Sequence, residues 1–173
     1  MKFNVKDITI IAITVALTFV FGWVFYLIAN LFPLPGSKFI GVSVFSGFML
    51  YFPVYKLKRY GIIFASTAVL AGIMSLISII MGITIILTGI ITEVFSLLFL
   101  NKFKGWELRL VTGSFSLFGT LNSLLITYYL AGGFGFSLIE LVLPFSIMIS
   151  ISFTGGYIGG YLANYIIKHY LPD

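Results

Sequence analysis

Basic residues in this chain lie almost entirely at alternate breaks between long apolar segments. The chain has ten Lys and Arg residues, of which only Lys38 lies at one of the other breaks. The remaining nine are Lys2, Lys6, Lys56, Lys58, Arg59, Lys102, Lys104, Arg109 and Lys168. Because Lys and Arg near span ends are retained on the cytoplasmic side, this distribution predicts an even number of membrane spans with both termini inside.

Composition excludes a soluble domain. Hydrophobic residues make up 60% of the 173-residue sequence and charged residues only 9%, whereas a soluble domain carries about 25% charged residues. A helical span needs about 20 apolar residues, so the length predicts one all-α integral membrane domain, residues 1–173, of roughly six helices in the cell membrane. Membrane orientation explains the excess of Lys and Arg, so we predict no nucleic-acid partner. Basic residues at the inner surface should also attract anionic membrane lipid.

The apolar segments give six predicted spans. They are Ile8–Leu31, Phe39–Tyr55, Gly61–Ile80, Ile83–Leu100, Leu110–Ala131 and Leu141–Ile167. The run from Gly61 to Leu100 would be about 60 Å long as one helix, roughly twice the hydrocarbon thickness. We therefore place a tight outer turn at Met81-Gly82.

Three predicted spans carry small or hydroxyl-bearing residues at helical spacing. The fourth has Thr84, Thr88, Thr92 and Ser96, the fifth has Gly113, Ser116, Thr120, Ser123 and Thr127, and the sixth has Gly155, Gly156, Gly159, Gly160 and Ala163. Small residues let membrane helices approach closely, and hydroxyls can bond across the interface. Close packing is one interpretation, and a polar cavity between the fourth and fifth helices is the other.

Glu93 is the only ionisable residue inside a predicted span. It lies ten residues after Ile83, about 15 Å from the outer end and close to the midplane. A charge at that depth costs at least about 2.5–3.5 kcal/mol, so Glu93 should face the bundle interior or a wet cavity. It is either a ligand-binding carboxylate or a structural carboxyl bonded to a neighbouring helix. Asn122, at comparable depth, either shares a ligand with Glu93 or links two helices.

Polar and aromatic residues collect at the predicted outer ends of the spans. Trp23, Tyr26 and Asn30 end the first span, Tyr128 ends the fifth and Glu140 precedes the sixth. Aromatic residues at this depth usually form an interfacial belt. The alternative is that some of them stack on a flat heterocyclic ligand. Glu140 also suits the start of a helix, where the helix dipole favours a negative charge.

Sequence signatures of common enzymes are missing. The chain has no cysteine, and its single histidine, His169, lies near the C-terminus. Neither a P-loop nor an H-E-x-x-H motif is present. The sequence therefore predicts that the protein is not an enzyme and binds no cofactor or metal.

Two stretches carry a resemblance to a known family. One is KDITIIAITVALTF near the start, and the other is GIITEVFSLLFLNKFKG around the end of the fourth span. These stretches, together with the predicted layout of six short spans, inside termini and no motor domain, resemble the substrate-binding S components of energy-coupling factor (ECF) transporters. In that family an Ala-x-x-x-Ala pair in the first helix meets a transmembrane coupling subunit. Here that pair would be Ala12 and Ala16.

The resemblance implies a subunit that captures a vitamin or related small heterocycle at the outer face. It implies as partners a transmembrane coupling subunit and two ATPases. The N-terminal metal ligands of nickel and cobalt members are absent, which argues against a metal substrate. A buried Glu93 carboxylate would favour a cationic or amine-bearing ligand. Among family substrates this favours thiamine or its aminopyrimidine precursor.

On this hypothesis Glu93 and Asn122 form the polar floor of the site, and Trp23, Tyr26 and Tyr128 form its walls. The alternative is a stand-alone secondary carrier or channel for a small cation or metabolite, in which Glu93 couples protons or cations. A third interpretation is a structural or assembly protein of the membrane. Neither alternative requires an ATPase partner.

Overall fold

The structure, a computed structural model, describes residues 4–29, 37–99, 103–130 and 138–170. Within these ranges every regular element is an α-helix. The helices are α1 (Val5–Ala29), α2 (Ser37–Leu57), α3 (Ile62–Ser75), α4 (Ile79–Phe99), α5 (Gly105–Leu130) and α6 (Leu138–Tyr170). The predicted all-α fold class is confirmed for the described part of the chain.

Four helical segments are long and apolar enough to cross a membrane. They are Val5–Phe25, Ile79–Phe99, Gly105–Leu130 and Val142–Tyr170. By contrast, α3 has 14 residues and is only about 21 Å long, less than the thickness of the hydrocarbon layer. The four long apolar helices are consistent with a multi-pass membrane protein. Six spans with both termini cytoplasmic remain a prediction.

The first helix starts at two side-chain hydrogen bonds, of which the one from Asp7 back to Asn4 is half of a capping box. The side-chain oxygen Oδ1 of Asn4 accepts the backbone N–H of Val5 at 2.8 Å, and Oδ2 of Asp7 accepts the backbone N–H of Asn4 at 3.1 Å. Together they satisfy two N–H groups at the helix start. Arg59 donates to the same Asp7 oxygen at 3.1 Å. This ion pair ties the start of α1 to the connection between α2 and α3.

The turn predicted at Met81-Gly82 is wrong. The third helix ends at Ser75 and α4 begins at Ile79, so Met81-Gly82 lies inside α4. A Cβ added to Gly82 would lie 2.7 Å from the Cβ of Ser75. Gly82 therefore permits α3 and α4 to approach closely just after the turn, because any side chain there would collide with α3.

The sixth helix packs against α2 and α5 through a row of glycines, which we call the glycine seam. Its members are Gly155, Gly156, Gly159 and Gly160. A Cβ added to Gly159 would lie 2.8 Å from the backbone N of Phe48 in α2, and one added to Gly156 would lie 2.6 Å from the carbonyl O of Thr112 in α5. Backbones approach this closely only where side chains are absent. The packing interpretation is thus confirmed for the stripe of α6.

Buried apolar side chains concentrate at one end of the bundle. They come from the first half of α1, the ends of α2 and α6, and the starts of α3 and α5. The cluster comprises Ile11, Val15, Leu50, Tyr51, Val54, Ile62, Ile63, Leu108, Val111, Ala163 and Ile167. In the predicted topology this is the cytoplasmic end.

Candidate functional site

The Glu93 carboxylate lies at the start of α3. Its Oε1 accepts the backbone N–H of Gly61 at 2.6 Å, and its Oε2 accepts the backbone N–H of Phe64 at 3.1 Å. Gly61 precedes the helix with φ of 88° and, as a glycine, has no side chain that could cap it. Because the first N–H groups of a helix have no partner within it, Glu93 supplies from α4 the cap that α3 lacks.

These hydrogen bonds agree with the structural interpretation of Glu93. The partial positive charge of a helix N-terminus stabilises a carboxylate by about 0.3–1 kcal/mol, and by up to about 2 kcal/mol where it is partly buried. Glu93 is half-buried. The structure therefore explains how α4 accommodates an acidic residue without a ligand. A ligand-binding role for Glu93 stays a prediction.

The depth of Glu93 also differs from the sequence estimate. Because α4 begins at Ile79 rather than at Ile83, Glu93 lies about 21 Å from the first residue of the helix instead of about 15 Å. It is about 9 Å from the last residue, Phe99. The carboxylate is thus displaced from the predicted outer end towards the connection between α2 and α3.

Asn122 links α5 to α4. Its side-chain amide donates to the hydroxyl Oγ1 of Thr88 at 3.2 Å, and the Asn122 side chain is half-buried. Thr88 in turn donates to the carbonyl of Thr84 in its own helix at 2.7 Å. Glu93 and Asn122 therefore bond to different helices, α3 and α4 respectively. Sharing of a ligand between them stays a prediction.

The hydroxyl groups along α4 and α5 mostly bond within their own helices. Thr92 donates to the carbonyl of Thr88, and Ser96 donates to the carbonyl of Glu93, both at 2.7 Å. Thr120 in α5 likewise donates to the carbonyl of Ser116 at 2.9 Å, but its hydroxyl also lies 2.5 Å from that of Ser152 in α6. Both of these residues are buried, so this pair bonds α5 to α6.

The predicted aromatic walls lie on different parts of the bundle. Trp23 is half-buried on α1, and Tyr128 is half-buried near the end of α5, where its ring packs edge-on against Tyr129 at a centroid distance of 5.7 Å. Among the described residues α1 packs against α2 and α3, whereas α5 packs against α2, α4 and α6. In the described part of the chain α1 and α5 therefore share α2 as a neighbour but do not pack directly on each other, and a ligand site shared by Trp23 and Tyr128 stays a prediction.

Three predicted site residues have no described side chain. Tyr26 lies in α1 and Glu140 lies in the first turn of α6, but their side chains are outside the described part of the structure. Asn30 lies outside the described residues altogether. Their predicted contacts with a ligand stay predictions.

Ala12 and Ala16 are exposed on α1. They share this surface with Ile13 and Val20, which are 56% and 58% exposed. We call these four residues the alanine face of α1. The opposite side of the helix is buried through Ile11 and similar residues against α2 and α3. The predicted coupling pair is therefore accessible to a second membrane helix.

Sequence reasoning missed an arginine site between α5 and α6. The guanidinium carbon of Arg109 lies 5.4 Å from the ring centroid of Tyr157 and 5.6 Å from that of Tyr161. From the sequence, Arg109 is assigned only to membrane orientation. The available signal was the four-residue spacing of Tyr157, Tyr161 and Tyr165, which places these rings along one helix face.

Comparison with protein-family models, curated proteins and solved structures finds no match to this chain. In the described part of the chain, no three His, Asp or Glu side chains come together in a way that could hold a metal ion. The features that bear on function are therefore the helices, their exposed surfaces and the sequence resemblance.

Proposed function

We propose that this protein is the substrate-capturing membrane subunit of an ECF-type importer. The observation that carries the proposal is the alanine face of α1. Small residues exposed on an apolar helix give a second helix room to approach its backbone, and Ala12 and Ala16 are the pair that the family resemblance assigns to the coupling subunit. The proposed partners are that subunit and two ATPases.

The distribution of the core supports capture at the opposite end. Buried apolar residues gather where α2 ends and α3 and α5 begin, which is the cytoplasmic end in the proposed topology. Asn122 lies nearer the other end of α5, about 12 Å before its last residue, Leu130. We propose that Asn122 and Tyr128, with Trp23, Tyr26, Asn30 and Glu140, bind a vitamin or related small heterocycle from outside.

The choice of thiamine or an aminopyrimidine depends on Glu93. An ionised carboxylate offers about four acceptor positions. In Glu93 two of these positions, one on each oxygen, already accept backbone N–H groups. A positively charged ligand would therefore have to compete with, or add to, the capping of α3. A preference for a cationic heterocycle requires that Glu93 contacts the ligand.

The proposed function is tested by expressing the chain alone and identifying, by mass spectrometry, the small molecules that remain bound during purification. We expect the purified chain to bind this ligand without ATP. Uptake into cells or vesicles should require the coupling subunit and both ATPases. Transport by the chain alone would contradict the proposal and would support a stand-alone carrier.

A matched pair of asparagines tests the position of the site. Asn122 and Asn164 each bond to a neighbouring helix, but Asn164 does so near the start of α5, where it accepts from the Tyr51 hydroxyl at 2.9 Å. Loss of one hydrogen bond to ligand in Asn122→Ala should weaken binding about two- to tenfold. Asn164→Ala should retain the wild-type affinity. Equal affinity in both variants would remove Asn122 from the site.

A further inference from the structure

Arg109 has a positive charge in the first turns of α5, beside α6. Its Nε donates to the carbonyl of Gly105 at 3.1 Å. Tyr157 and Tyr161 present their rings to the guanidinium from α6. An arginine near two aromatic faces gains cation–π attraction, which holds the side chain between the two helices. The guanidinium is therefore positioned and not free to sample solvent broadly.

The outer nitrogens of Arg109 have no acceptor in the described part of the chain. Asp7, another acidic residue, is paired with Arg59. The nearest acidic residue in sequence, Glu107, is buried and accepts the backbone N–H of Lys104 at 3.2 Å. Since Glu107 is two positions from Arg109, the two side chains leave α5 on different faces. The planar guanidinium fork thus keeps donors suited to a bidentate oxyanion.

The surface around Arg109 has the composition of a membrane–water interface. Trp106 is 51% exposed and Tyr161 is 49% exposed. Lys104 is exposed at the start of the same helix. Trp and Tyr are enriched at the level of lipid headgroups, and basic residues there attract anionic lipid. The cation between the tyrosines therefore lies where a phosphate group of the bilayer is available.

We propose that Arg109, Tyr157 and Tyr161 form a binding site for the phosphate of an acidic phospholipid. The lipid belongs to the leaflet at the α5 start, which is the cytoplasmic leaflet in the proposed topology. The guanidinium donates to the phosphate, and the tyrosine rings hold the guanidinium in place. This site depends on the membrane location of the chain and not on the transport function.

Trp106 provides a local probe of this site, because it lies three residues before Arg109. The chain has two tryptophans, so Trp23→Phe leaves Trp106 as the only one. In phosphatidylcholine vesicles we would add brominated phosphatidylglycerol or brominated phosphatidylcholine and measure quenching of its fluorescence. We expect phosphatidylglycerol to bind about fivefold more strongly than phosphatidylcholine. Equal quenching by the two lipids would overturn the proposal without any change at Arg109.

Arg109→Gln in the same background should remove most of this preference. Lys58→Gln is the matched control, because it removes one positive charge at the same end, and Lys58 also lies 5.4 Å from a tyrosine ring centroid, that of Tyr55. We expect Lys58→Gln to retain the preference. A preference lost equally in both variants would indicate a general charge effect and would contradict a site at Arg109.

Two further arms complete the test. Arg109→Lys keeps the charge and loses the bidentate fork, so it should retain only part of the preference. Millimolar inorganic phosphate should leave the preference for phosphatidylglycerol unchanged if the lipid itself is the ligand. Abolition of the preference by inorganic phosphate would assign the site to a soluble anion and overturn the lipid proposal.

Discussion

The glycine seam of α6 and the alanine face of α1 use small residues in opposite surroundings. In the seam, a Cβ on Gly159 would lie 2.8 Å from a backbone atom of α2. On α1, Ala12 and Ala16 are exposed, and the helices that pack on α1 contact its other side. Both patterns permit close approach of another helix. The comparison shows that spacing reveals a contact surface but does not reveal whether its partner is internal or external.

The largest effect is expected in the seam. Gly159→Leu introduces a side chain where α2 already lies in contact, and overpacking of this kind costs at least about 1–3 kcal/mol. We expect a lower melting temperature and loss of a monodisperse peak in size-exclusion chromatography.

The matched control for the seam is Gly72→Leu in α3. Gly72 is exposed, and apart from its chain neighbours and the adjoining backbone of α3 no atom lies within 4 Å of an added Cβ. Its melting temperature should equal or exceed that of the wild type, since leucine favours helix more than glycine does by up to about 1 kcal/mol. Equal stability of the two leucine variants would show that the seam is not a close contact.

Glu93→Gln should have the next largest effect on stability. The amide keeps the shape of the side chain but loses the charge and one acceptor at the start of α3, so we expect destabilisation of about 1–2 kcal/mol. Thermal unfolding measures this change. Ser96→Ala, in the same helix, should unfold close to the wild-type temperature, because the hydrogen bond described for its hydroxyl lies within α4.

The same Glu93→Gln protein separates the cap from the binding site. Loss of a charge-assisted bond to ligand would weaken binding about tenfold to a hundredfold. Unchanged stability with such a loss of affinity would support the binding role and contradict the cap. Lower stability with unchanged affinity would show that Glu93 is not part of the ligand-binding site, and would remove the reason for preferring a cationic heterocycle.

A smaller effect is expected for the hydroxyl pair between α5 and α6. Thr120→Val removes the bond to Ser152 and preserves shape, and such bonds between membrane helices contribute about 0.6 kcal/mol on average and at most about 1.7 kcal/mol. Thr154→Val is the control, because Thr154 is exposed on α6 and donates to Ser150 in its own helix. Chemical or thermal unfolding should show a loss only for Thr120→Val.

Much of the fold was predictable from the sequence. The positions and lengths of the apolar segments were enough to locate the helices. The ends of α1, α2 and α6 lie within a few residues of their predicted positions. The turn between α3 and α4 was misplaced because glycine serves both turns and close contacts. The atoms that distinguish these roles for Gly82 belong to Ser75 and Ala71, and their proximity is a property of the packed hairpin.

The candidate site was less predictable. The sequence identified Glu93 as unusual because acidic residues are costly in a membrane, but its partners are backbone N–H groups 29 and 32 positions away. Backbone donors have no sequence signature. Arg109 was similarly hidden, since its two tyrosines lie on another helix. The exposure of Ala12 and Ala16 also depends on which side of α1 meets α2 and α3.

The alanine face is tested most directly by co-purification of the Ala12→Leu/Ala16→Leu variant with the coupling subunit and its two ATPases. Because these residues are exposed, the double variant should unfold like the wild type and bind ligand normally. Its recovery with the coupling subunit, and ligand uptake, should both fall, whereas Gly72→Leu should retain both. Undiminished recovery and uptake by the folded double variant would contradict docking through the alanine face.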